Sequence, residues 1–163
     1  MSSAIFLDFD GVLNNSPYLY RPKRALGRLH KAIEKLDPAN VAVLNTLVER
    51  SDAPVVVHST WRYSLEAREI QIVLDGAGFG GEVAGVLPRD MSDCGGVVDP
   101  DDIGAMLLRW LRARQRIRHC VVLEDSRIWG VMSEHQVRPS ADTGLLPEHV
   151  EQALAILRRE GTW

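Results

Sequence analysis

Asp8 and Asp10 stand two residues apart at the end of the apolar run Ala4-Ile5-Phe6-Leu7, and Gly11 follows them. In an extended strand the side chains at i and i+2 point to the same side. Two carboxylates so placed repel, so one of them titrates upward or a cation sits between them. The arrangement suits three tasks: holding a hard metal ion, attacking an electrophile and moving a proton. Two more polar groups follow apolar runs in the same way. Ser59 and Thr60 come after Val55-Val56-Val57-His58, and Glu124 and Asp125 come after Val121-Val122-Leu123.

The chemistry open to this set is phosphoryl transfer. Asp8, Asp10, Glu124 and Asp125 offer only oxygen, which suits magnesium. Asp8 is a candidate covalent nucleophile. Asp10, kept partly protonated by its neighbour, is the candidate to protonate a leaving oxygen and then activate water. Ser59 or Thr60 can hydrogen-bond a phosphate oxygen, and an arginine is needed to balance the remaining charge.

Positioning these groups requires strands that end together. Strand-like apolar runs recur at 4–9, 54–58, 83–87 and 119–124, with a short one near 135–138. Segments of helical period lie between them. Val41, Leu44, Leu47 and Val48 mark a helix over 38–50, and Ser64 reads as the N-cap of one over 64–76. Ile103, Met106, Leu107, Trp110 and Leu111 mark a helix over 101–114, with Asp99 as its cap and Pro100 at its first position. Pro147 opens a last helix over 147–159. Strands alternating with helices imply a parallel sheet covered on both faces. Ligands of such sheets bind beyond the carboxyl ends of the strands, where all three polar groups fall. Residues 14–37 and 88–100 read as loops or flaps over that crevice, within a single domain spanning 1–163.

Composition sets the remaining bounds. The chain has 163 residues, 45% hydrophobic and 25% charged, which is the profile of a globular domain large enough to bury its own core. A net charge of −3 argues against a molecule built as a whole to bind polyanions. Of the 19 basic residues only Lys23, Lys31 and Lys35 are lysines. Cys94 and Cys120 are far apart, so neither a disulfide framework nor a zinc site is expected. No apolar run reaches membrane-spanning length and no basic leader precedes an apolar core, so a cytoplasmic location without a membrane partner is expected.

The motifs together resemble the haloacid dehalogenase-like (HAD) superfamily of phosphatases. That superfamily carries an Asp-x-Asp-Gly run at the first strand end, Ser or Thr after the second strand and paired acids after the fourth, matched here by Asp8-Phe9-Asp10-Gly11-Val12-Leu13, by Ser59 and by Glu124-Asp125. Ser59-Thr60-Trp61-Arg62 and Asp142-Thr143-Gly144-Leu145 look like runs in the small, capless HAD domains of RNA-repair proteins. The resemblance implies an α/β, three-layer Rossmann-like fold with about five parallel strands in the order 3-2-1-4-5 and no large cap; 14–37 is at most a flap or small insert. It implies a magnesium-dependent phosphomonoesterase working through an aspartyl-phosphate on Asp8. Asp10, Ser59 and Arg62 would act with it, while Gly11, Asn14, Thr60 and Arg89 would contact substrate. The narrower likeness points to a nucleotide or nucleic-acid phosphate.

The chain departs from the superfamily in its third motif, which is usually Lys; no Lys follows Lys35. Arg62 is the first candidate to replace it, Arg89 the second and Arg109 the third. This gap supports a rival reading, a HAD-derived phosphate- or nucleotide-binding module that turns over poorly. A phosphoacceptor domain like a response-regulator receiver ranks last, because it needs a Lys at the end of the last strand and 135–140 has none. Blander roles are expected for several neighbours. His58 reads as a core or strand-end residue, and Trp61 as packed against the core rather than stacked on a base. The arginines from Arg109 to Arg118 read as a solvated helix face, whereas Arg21, Lys23, Arg24 and Arg28 lie on the flap, where a substrate role is more plausible.

Overall fold

A computed structural model describes residues 2–22, 24, 27–89, 102–114 and 116–159. Five strands form one parallel sheet: β1 (Ser3–Leu7), β2 (Val55–Val57), β3 (Val83–Val86), β4 (His119–Leu123) and β5 (Gln136–Val137). Their order is β3-β2-β1-β4-β5, the order expected. The helices are α1 (Ser16–Leu19), α2 (Arg28–Ile33), α3 (Pro38–Ser51), α4 (Ala67–Gly76), α5 (Ile103–Arg112) and α6 (Pro147–Leu157). Short 3₁₀ turns at Thr60–Tyr63 and Gly130–His135 lead out of β2 and into β5.

The strands are apolar throughout because both faces of the sheet are covered. Side chains alternate between the faces. Ile5, Leu7, Val55, Val57, Val121 and Leu123 pack with α3, α4 and α6. Ala4, Phe6, Val56, Cys120 and Val122 pack with α5, where Phe6 meets the edge of Trp110 at 5.4 Å between ring centroids. Cys120 is a buried thiol, pushed up to about 12 by that burial; Cys94 lies outside the described residues.

Pro38 opens α3 behind Asp37, whose carboxylate accepts from the Ala39 N–H. Before α4 the chain first makes a 3₁₀ turn, so Ser64 closes that turn; Glu66 caps α4 and exchanges hydrogen bonds with Glu69. Asp102 caps α5 by accepting from the Ala105 N–H, whereas Asp99 and Pro100 lie outside the described residues. Most of the expected loop 88–100 lies outside them as well. Within the 14–37 segment, the described residues include α1 and α2, and α2 packs on α4. No helix among the described residues is long and apolar enough to cross a membrane.

Candidate active site

Strand register places the site. Leu7 pairs with Val57 on one side and Leu123 on the other. The next residues, Asp8, His58 and Glu124, therefore sit side by side at the carboxyl edge. The ladder runs one step further: the Asp8 N–H donates to the Leu123 carbonyl at 3.0 Å, and the His58 N–H donates to the Leu7 carbonyl at 3.0 Å.

Carboxylate oxygens of Asp8, Glu124 and Asp125 lie within 4.8 Å of one another. Ser59 follows His58, the neighbour of Asp8 across the strand edge, and its hydroxyl is near enough to Asp8 to favour the carboxylate. Burial pushes Asp8 up to about 7, against the Ser59 and Phe9 hydrogen bonds, and the charges of Asp10 and Asp125 add to the rise. Burial, then the charge of Asp8, pushes Glu124 up to about 8. His58 Nε2 lies 3.4 Å from Glu124 Oε2, and both side chains are buried. Burial and then the Arg62 charge push His58 down to about 3, so near neutral pH it meets Glu124 as a neutral ring. It is the strand-end residue expected.

Asp10 is held apart from that group. The strand ends at Leu7, and the same-side rule for i and i+2 does not carry through the turn that follows. Asp10 Oδ1 accepts from Asn14 Nδ2 at 2.8 Å, and Asp10 Oδ2 accepts from Trp61 Nε1 at 3.0 Å. Among the described residues the acidic oxygens brought together are those of Asp8, Glu124 and Asp125, without the Asp10 carboxylate. Asn14 closes the turn, because its Oδ1 accepts from the Gly11 N–H at 2.9 Å. Gly11 has φ +71, and a Cβ there would stand 2.4 Å from the Asp125 side chain. Thus Gly11 and Asn14 shape the loop, and their polar groups are already engaged within it. From below, the Leu145 N–H donates to the Val12 carbonyl at 2.8 Å, and Asn40 Nδ2 donates to the Leu145 carbonyl at 2.8 Å. The segment ending in Gly144-Leu145 thereby braces the site loop.

Arg62 and Arg89, two of the arginines expected to meet phosphate, both make hydrogen bonds to protein groups. Arg62 is buried; its guanidinium donates to the carbonyls of His58 and Ser59 and to the Tyr63 hydroxyl. Burial lowers its pKa, opposed by Tyr63 and by Asp8, so it is near enough to Asp8 for the two charges to interact. Arg89 Nε donates to the Arg62 carbonyl at 2.8 Å, and Arg89 also pairs with Glu66 at 2.7 Å. Arg109 sits on α5.

Two contributors were missed. Trp61 is half-buried, edge-on to Phe9 at 5.1 Å, and holds Asp10, so it is both core and site. Its position two residues after Ser59 is the sequence signal for that role. Lys35 Nζ lies over the Trp61 ring, 5.6 Å from its centroid. Nothing in the sequence pairs a lysine with a tryptophan so far along the chain.

A family model described as the HAD domain in Swiss Army Knife RNA repair proteins matches residues 4–150. No curated protein and no solved structure matches the chain.

Proposed function

This chain belongs to the family of HAD domains in Swiss Army Knife RNA repair proteins, and from that premise we propose that it is a magnesium-dependent phosphomonoesterase acting on a nucleotide or nucleic-acid phosphate. The carrying observation is the convergence of Asp8, Glu124 and Asp125 at neighbouring strand ends, their carboxylate oxygens within 4.8 Å of one another.

The donor set fits the metal. Asp8, Glu124 and Asp125 offer oxygens alone, close enough to share one ion. Magnesium held there would neutralise phosphate charge and orient the group for in-line attack. An Asp8 oxygen attacks phosphorus while the bond to the leaving oxygen breaks, giving an aspartyl-phosphate. Asp10 gives the leaving oxygen its proton. Asp10 then takes a proton from water, which attacks phosphorus; the bond to Asp8 breaks and phosphate departs. Trp61 and Asn14 hold both oxygens of Asp10 for these transfers. Ser59 orients Asp8 and can turn to a phosphate oxygen.

A second reading keeps the site as a binding module with weak turnover. The engagement of Arg62 and Arg89 with protein groups favours it, because donors of both guanidiniums are already spent on protein acceptors. An aryl phosphate assay with magnesium separates the two. Turnover that is abolished in Asp8→Asn supports the phosphatase. Phosphate binding without turnover, across aryl phosphates and nucleotides, supports the module and overturns the enzyme.

A further inference from the structure

A groove of about 740 Å³ opens beside the site, between α2 and the turn after β2. Arg28, Lys31 and Lys35 form one wall, and Thr60, Trp61 and Leu65 stand on the other. The three cations fall at i, i+3 and i+7, one stripe of the helix and its last turn. Arg28 is paired with Glu69. Lys31 and Lys35 make no ion pair with any described residue. Two of the three cations are thus without a carboxylate partner among the described residues, in a chain of net charge −3 that has only one other lysine, and Lys35 Nζ lies over the Trp61 ring.

We infer that this groove holds the leaving-group side of the substrate, and that this leaving group is a single-stranded nucleic acid. The inference rests on the reading that Asp10 protonates the leaving oxygen. Trp61 joins the two places: its Nε1 binds Asp10 and its ring lines the groove. A leaving group that takes its proton from Asp10 therefore departs along the Trp61 wall. The groove combines cations with an apolar floor of Ala32, Trp61 and Leu65. A polyphosphate would use the cations alone, and a neutral sugar only the aromatic wall. Bases that stack on aromatic side chains while lysines follow the backbone need both. The volume is that of a small-ligand site, suited to a splayed strand end and too small for a duplex.

The test uses Asp8→Asn protein and a short single-stranded oligonucleotide with a terminal phosphate, labelled at its other end. Fluorescence anisotropy measures Kd over a range of salt. The plot of log K against log salt should lose about 0.7 in slope for each lysine removed in Lys31→Gln and Lys35→Gln. Lys31→Arg and Lys35→Arg should restore it, since these exposed positions need only charge. Trp61→Ala should weaken binding by about tenfold or more. Unchanged affinity and slope in the double glutamine variant would overturn the inference. So would duplex binding as tight as the single strand, or equal competition by inorganic polyphosphate. Aryl phosphate turnover by the unaltered protein is scored separately, so loss of the groove and loss of the phosphatase reading remain distinguishable.

Discussion

Trp61 Nε1 donates a hydrogen bond to Asp10 Oδ2 at 3.0 Å, fixing the candidate proton donor from the side opposite Asn14. Trp61→Phe keeps the ring against Phe9 and removes the donor. We expect kcat to fall by about tenfold for alkyl phosphates, the loss of one hydrogen bond to a charged group. For a nitrophenyl phosphate, whose leaving oxygen needs little protonation, the fall should be smaller. A plot of log kcat against leaving-group pKa should therefore be steeper in the variant; parallel plots would remove Asp10 from leaving-group protonation.

Gly11 lets the loop turn under Asp125. Alanine there would be strained at φ +71 and would drive its Cβ into the Asp125 carboxylate. The strain alone is worth about 1–3 kcal/mol. Displacing Asp125 should weaken magnesium binding by about tenfold or more. Urea unfolding and magnesium titration calorimetry read the two effects independently, and intact magnesium affinity would take Asp125 out of the metal set.

Stability of the metal-free protein should fall as pH rises above neutrality. Asp8 and Glu124, raised to about 7 and about 8, keep protons in the native state that the unfolded chain has released. Wherever the native state binds more protons, stability falls with rising pH. The window opens near pH 4, where the unfolded carboxyls ionise, and closes near pH 8. His58, lowered to about 3, acts in the opposite sense: the unfolded ring binds a proton below about pH 6.5 and the native ring does not. The decline is thus partly masked below pH 6.5 and unopposed from there to pH 8. Thermal melts across this range should show it, and saturating magnesium should flatten it. A metal-free Tm that rises from pH 6.5 to 8 would contradict the buried arrangement of Asp8 and Glu124.

The parts of this molecule that follow a period were readable from the chain. Ile5, Leu7, Val57 and Leu123 repeat in runs that only a covered parallel sheet explains, and the acids after those runs mark its carboxyl edge. What the chain concealed depends on where strands stop and which way long side chains lie. Asp10 reads as a partner of Asp8 until the strand ends at Leu7 and the turn hands Asp10 to Asn14 and Trp61. Ser64 reads as a helix cap until the 3₁₀ turn at Thr60–Tyr63 intervenes. Lys35 approaches Trp61 only because α2 packs on α4. That contact spans too much chain for any local pattern to carry.

Arg62 illustrates the same difficulty and yields the sharpest mutational test. Sequence position makes it the natural substitute for a missing lysine, yet its guanidinium lies buried on the carbonyls of His58 and Ser59. A buried cation whose donors satisfy backbone carbonyls is first a structural element of the strand end. Arg62→Leu leaves those carbonyls without partners and should cost about 3 kcal/mol. The midpoint of urea unfolding should drop accordingly, and turnover should fall with the folded fraction and with loosening of Ser59. A charge that served the phosphate alone would behave differently: kcat would collapse while the unfolding midpoint stayed in place. Adding guanidinium ion to Arg62→Ala separates the two further, because rescue of activity without rescue of stability would assign Arg62 to the phosphate after all.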